Sequence, residues 1–266
     1  MNMMTAPIVA AGAGAELDDR WAGRLVDQWW AYLDACMGAA DIRAASAVKN
    51  SRSGFGGNPK SQIRAFEMLK NSLADVLLAS FLRAGKRARY HAILDHLFAF
   101  EADEAKQLIC LRRHLYRKGP ASELQVRDEM IFTLTRHALI RLVQRGGIER
   151  VTDLRVAVRA AWGPLAIVEA ATRQLRIDDP NRTWLVPAHV ADGQGYVAFV
   201  CCGSDDPSQP LIVKTVLAED MLRPDQLNGC DPLLQYFQVT DPLDQWDGQT
   251  ARDLLKATQS FGRPYC

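Results

Sequence analysis

Hydrophobic residues recur along the front of the chain at three- and four-residue steps. Between Leu17 and Met37 they are Trp21, Leu25, Trp29, Leu33 and Cys36, behind Asp18 and Asp19, which suit a first helical turn. This pattern predicts an amphipathic helix. A second series, from Ser61 to Leu82, carries Ile63, Phe66, Leu69, Leu73, Val76, Leu77 and Phe81 behind Ser61 as N-cap, and predicts another. Tyr90 to Phe100 and Glu104 to Tyr116 read as two further helices, stopped at Gly119-Pro120. Asn50 to Pro59 is rich in turn formers and reads as a loop. Its glycines lack both the Gly-Lys-Ser/Thr ending and the preceding strand of a phosphate-cradling loop.

After Ser122 the pattern changes. Met130 to Thr135 suits a short strand or a helix lead-in, and Arg136 to Arg145 a helix closed by Gly146-Gly147. Thr152 to Gln174 predicts a helix with Thr152 as its cap and a kink at Gly163-Pro164. Thr183 to Ala188, Tyr196 to Cys202 and Leu211 to Leu217 are strand candidates, joined by hairpin-type turns at 192–195 and 203–210. Beyond Leu222 prolines and aspartates punctuate the chain, with one helix near Thr250 to Thr258. The expectation is an α+β protein in four parts: a leader at 1–15, a helical domain at 16–119, a domain of helices plus a small antiparallel sheet at 120–222, and an acidic segment at 223–266.

The charge adds a polarity to this picture. The net charge is only +1, so any nucleic-acid footprint must be local. Arg83, Lys86, Arg87, Arg89, Lys106, Arg112, Arg113, Arg117 and Lys118 cluster in the front half, whereas acids outnumber cations after Gly203. The six cysteines show no Cys-x-x-Cys pair and no zinc spacing with histidine, which suggests free thiols in a reducing cytoplasm. The apolar stretch before Ala15 lacks a basic start and is broken by Pro7, unlike a signal peptide. No run is long enough to predict a membrane span.

Candidate chemistry gathers on the helix Arg136 to Arg145. At 100° per residue His137, Arg141, Gln144 and Arg145 share one face, and Leu139, Leu142 and Val143 turn away from it. An imidazole can exchange a proton near neutrality, and guanidiniums fork onto phosphate oxygens. Together they suit phosphodiester cleavage; a solvated helix face accounts for the same residue types. In the last strand candidate, Lys214 and Thr215 interrupt an apolar run, and alternation would send them to opposite faces. Lys214 could supply charge to a phosphate and Thr215 a hydroxyl.

The succession Phe132-Thr-Leu-Thr, Arg136-His-Ala-Leu-x-Arg-Leu-x-Gln-Arg, a second helix, and strands ending in Ile212-Val-Lys-Thr-Val-Leu resembles the metal-independent ribonuclease toxins of the barnase/EndoU/colicin/RelE-like group. The likeness spans about Met130 to Leu217. It implies a helix-plus-sheet domain that cuts RNA through its 2′-hydroxyl, with no cofactor or metal. By that resemblance His137 is the proton-transfer group, Arg141 and Arg145 are phosphate clamps, and Thr215 or Lys214 touches the scissile phosphate. Arg136 and Gln144 on the same helix, and Arg112 and Arg113 outside the likeness, are further candidate substrate contacts. Two features depart from it. No second histidine faces the site from the strands, His189 lying on a turn, so the other acid is either absent or a Lys or Tyr such as Tyr196; and the helical front half has no counterpart.

Two other readings use different residues. His91 and Asp95, one helical turn apart, could share a metal with Glu101 or His114. A non-enzymatic module could present Trp21, Trp29, Trp30 and Tyr32, or the cluster Arg112 to Lys118, to a nucleic acid or protein partner. Adjacent Trp29 and Trp30 cannot both sit at the centre of one buried face, so one of them suggests a contact with another helix or a second copy. The expected partners are RNA and an inhibitory or homo-oligomeric protein, not a membrane. The expected location is the cytoplasm, of its own cell or of a target cell. The acidic C-terminal segment would be a natural mask for the basic face.

Overall fold

The computed structural model of the chain describes residues 18–55, 59–84, 90–102, 106–118, 124–175, 177, 182–190, 195–203, 211–240 and 248–259. The 1–15 leader and the turn residues 191–194 and 204–210 lie outside them. Helices α1 (Asp19–Phe55) and α2 (Pro59–Ser72) lead into strands β1 (Leu77–Ala84), β2 (Tyr90–Ala102), β3 (Lys106–Lys118) and β4 (Leu124–Thr135). Helices α3 (Arg136–Arg145) and α4 (Val151–Gln174), strands β5 (Thr183–His189), β6 (Tyr196–Cys202) and β7 (Leu211–Ala218), a 3-10 turn, and helices α5 (Pro224–Val239) and α6 (Gly248–Gln259) complete the order.

The strands form one seven-stranded sheet in the order β1-β2-β3-β4-β7-β6-β5. All neighbours are antiparallel except β4 and β7, which run parallel through Phe132–Leu211, Thr133–Ile212 and Leu134–Val213. The fold is α+β, but the sheet is large and mixed rather than small and antiparallel. It also crosses the expected boundary near residue 120, because β3 and β4 pair from Leu108–Thr135 to Lys118–Leu124.

The largest correction is in the front half. Tyr90 to Phe100 and, of the segment predicted from Glu104, Lys106 to Tyr116 are strands, not helices, and the second predicted helix ends at Ser72, giving way to β1. The cause is burial on both faces. Ala92, Ile93, Leu94, Asp95, His96 and Leu97 are all buried, which erases the alternation that marks a half-exposed strand and leaves an apolar run that suits either element. The first helix, in turn, runs through Asn50 to Phe55, where a loop is predicted.

Smaller corrections concern helix ends. Pro59, not Ser61, opens α2. Arg150 rather than Thr152 precedes α4, which continues as helix through Gly163 and Pro164. The acidic C-terminal segment packs a whole helix, α5, through Gln226, Cys230, Leu233, Leu234 and Phe237. Its Pro224, Gly229 and Pro232 read as breakers, yet Pro224 sits at the helix start, where its missing N–H costs nothing.

The core joins both halves. Trp29, Leu33, Leu69, Leu73, Leu94, Phe132, Leu142, Trp184 and Phe199 belong to a single buried cluster. Trp29 is fully buried and Trp30 packs partly buried against the same cluster. Cys36, Cys110, Cys201, Cys202 and Cys230 are free thiols. No described helix is long and apolar enough to cross a membrane.

Candidate functional site

Helix α3 takes its place from where β4 stops. Pairing of β4 with β7 ends at Leu134–Val213, and α3 covers the edge of β7 beyond it. Thr135 is the N-cap: its hydroxyl accepts from the Ala138 amide at 3.1 Å. The same hydroxyl donates toward the Val213 carbonyl at 3.1 Å, with the Lys214 carbonyl 3.5 Å away. At the other end Arg145 donates from its guanidinium to the Val216 carbonyl. Gly146 closes the helix by donating to the Leu142 carbonyl, and Gly147 follows at φ 61°, a conformation that favours glycine. Ala138, Leu139, Leu142 and Val143 are the buried side of the helix, as its periodicity predicts.

The polar side faces α1. Arg136 forks onto Asp27, Nε to Oδ1 at 3.0 Å and a terminal nitrogen to Oδ2 at 3.1 Å. Gln144 donates to Asp19 Oδ1 at 2.6 Å, Arg141 donates to Gln144 Oε1 at 2.7 Å, and Arg141 lies 3.6 Å from the same Asp19 oxygen. Gly23 lets the helices come this close: a Cβ there would sit 3.2 Å from an Arg136 guanidinium nitrogen. His137 is exposed between these groups along the helix.

The structure separates other candidates from this face. A bulge falls at Lys214, since Val200 pairs with Thr215 and Cys201 with Val213, and strict alternation does not hold across it. Lys214 is exposed and its ammonium lies beside Cys202, where it offsets part of the rise that burial imposes on that thiol. Thr215 is half-buried. No hydrogen bond or ion pair links either residue to His137 among the described residues. Tyr196 bonds Cys230 of α5, and His189 meets the Gly195 carbonyl and Gln238, each at 3.3 Å; neither adds an acid to the α3 face. Arg145 thus holds the β7 edge through one guanidinium nitrogen.

Arg112 and Arg113 fall on opposite faces of the sheet. Arg113 forks onto buried Asp95 at 2.8 and 2.7 Å, and Trp162 of α4 donates to the same carboxylate at 2.9 Å. Nearby, Arg173 of α4 donates to Glu169 at 2.7 Å and to Glu129 of β4 at 2.9 Å. These ties fasten α4 to the sheet. Burial raises the Glu169 carboxyl to about 7, against the pull of Arg173 and Arg113.

On the other face Arg112 forks onto Asp128 and stacks over Phe98, its carbon 5.4 Å from the ring centre. His96 is fully buried there, edge-on to His114 at 4.6 Å. Burial, with the His114 and Arg112 charges, lowers it to about 3.

The metal reading places His91 and Asp95 one helical turn apart, and that premise does not hold. Both lie on β2, a strand rather than a helix; Asp95 is held by Arg113 and Trp162, and His114 is on the opposite face beside Asp128. The side chains of His91 and Glu101 lie outside the described residues. Among the described residues no group of three or more His, Cys, Asp or Glu could hold a metal ion.

The acids that meet the basic face are Asp19 and Asp27 of α1. Among the described residues of the C-terminal segment, Asp225 pairs with Arg223, and Asp253 accepts from Gln249; Asp241, Asp244 and Asp247 lie outside the described residues. The N-cap role of Thr135 was not predicted, although a threonine just before an amphipathic run is the signal for one; no sequence signal pairs Asp19 or Asp27 with residues more than a hundred positions away. Compared with known proteins, the chain matches no family model, no curated protein and no solved structure.

Proposed function

We propose that the chain binds and cleaves RNA at the exposed face of α3, as a metal-independent endoribonuclease with His137 as the proton-transfer group. One observation carries this reading: beside the exposed imidazole, Arg136, Arg141 and Gln144 each already hold or approach a carboxylate oxygen. A face that grips oxyanions this way suits phosphates, which guanidiniums fork onto in the same geometry.

In the reaction, His137 takes the proton of a ribose 2′-hydroxyl. The oxygen attacks the adjacent phosphorus and the bond to the 5′ oxygen breaks, giving a 2′,3′-cyclic phosphate and a 5′-hydroxyl. The leaving oxygen takes its proton from the imidazolium or from water. Arg136 and Arg141 neutralise the phosphate. Arg145 and Arg113, spent on the fold, have no part in this scheme.

The test is cleavage of labelled oligoribonucleotides in the presence of chelator. His137→Ala lowers the rate by about 10² to 10⁴, the range of a lost general acid or base. Equal rates in the variant, or no cleavage by the wild type on varied RNAs, sink the enzymatic reading. Salt-dependent RNA binding without cleavage would leave a non-enzymatic binding protein.

A further inference from the structure

The contacts between α1 and α3 have a second meaning. Helix α1 is part of the core through Ala22, Leu25, Val26, Trp29 and Leu33, so burial alone fixes it in place. Packing does not require acids at its solvent-facing positions. Yet Asp27 faces Arg136, and Asp19 faces both Gln144 and Arg141. These ion pairs are open to solvent, with the Asp19 side chain 71% and the Asp27 side chain 49% exposed. Exposed pairs of this kind add little to folding. They do place two negative charges on the groups that would otherwise meet a phosphate backbone.

We infer that Asp19 and Asp27 set the RNA affinity of this face by holding, as carboxylates, the places that backbone phosphates take. The inference rests on the reading of the α3 face as an RNA site and names its internal competitor. RNA binds by displacing the two carboxylates from Arg136, Arg141 and Gln144, and α1 itself stays docked. The carboxylates screen the face from weak polyanions and leave His137 exposed. Each displaced carboxylate is a cost to affinity that neutral side chains of the same shape would not impose.

The experiment compares the wild-type chain with Asp19→Asn/Asp27→Asn. Asparagine keeps size and shape, and thermal melting confirms that the variant is folded. A control of equal charge change, Asp34→Asn/Glu67→Gln, alters exposed acids of α1 and α2 that do not touch α3. The readout is the Kd for a fluorescent oligoribonucleotide across a salt series, with His137→Ala in every chain so that turnover does not interfere.

Asp19→Asn/Asp27→Asn should bind at least about ten-fold tighter at low salt, and its plot of log affinity against log salt should steepen by roughly one, as expected when up to two further phosphates are neutralised on a single strand. The control should move neither as far. Equal affinity and slope in wild type and variant overturn the inference, as does an equal gain in the control or RNA binding in neither chain. Cleavage is scored separately, in the same chains with His137 kept: tighter binding of the variant without cleavage by any His137 chain supports the competitor and removes the ribonuclease.

Discussion

The Thr135 hydroxyl donates to the Val213 carbonyl across 3.1 Å and accepts from the Ala138 amide at the same distance. One oxygen thus caps α3 and pins its first turn, with His137 in it, to the point where β4 leaves β7. Replacing it by valine keeps the shape and loses both bonds. Thr135→Val should cost about 1 to 3 kcal/mol in urea denaturation and slow RNA cleavage, whereas Thr135→Ser should retain most of both. Unchanged stability in the valine variant would show that the hydroxyl does not hold the helix.

Arg145 and the Val216 carbonyl make the matching contact at the far end of α3. A clamp on substrate and a cap on a strand edge predict different losses. Arg145→Met leaves a carbonyl of β7 without this donor and should destabilise the fold by about 1 to 3 kcal/mol, with little change in the KM for RNA. A raised KM at unaltered stability would return Arg145 to the substrate.

Two buried groups give the fold opposing pH dependence. His96 has a pKa lowered to about 3, so the folded state prefers the neutral ring. Its contribution, on the order of a few kcal/mol, is present above the ordinary histidine range and is lost as pH falls toward 3. Glu169 is raised to about 7, so the folded state prefers the protonated acid; that contribution is full below the ordinary glutamate range and is lost as pH rises through 7. Between about pH 4.5 and 6.5 the two oppose one another. His96→Leu should therefore expose a stability that falls as pH rises across this window, and Glu169→Gln one that rises. Urea midpoints at successive pH values read the slopes directly, and parallel curves for the two variants would contradict the assignment.

The back half was largely legible in the sequence. The α3 helix, its glycine stop and strands β5 to β7 follow from helical periodicity, turn residues and short β-rich runs, which are local signals. The candidate face of α3 was legible too, because residues on one helix share a side whatever surrounds them. In the front half the local signals misled. Tyr90 to Phe100 carries helix-compatible alanines and leucines, but its partner β3 binds it along its length and places Asp95 against Arg113. Such pairing outweighs modest local propensity.

From the sequence alone came the helix that carries His137 and the identity of the polar groups beside it, since both depend on spacing within ten residues. The tertiary structure decided which of those groups remain available. It turned Arg145 to a strand edge, buried Arg113 against Asp95, moved Lys214 onto a bulge beside Cys202, and brought Asp19 and Asp27 over Arg136, Arg141 and Gln144. Each is a contact between segments far apart in the chain. Such contacts arise only when the buried faces of α1, α3 and the sheet have found one another, and the charges they carry are then neighbours as a consequence.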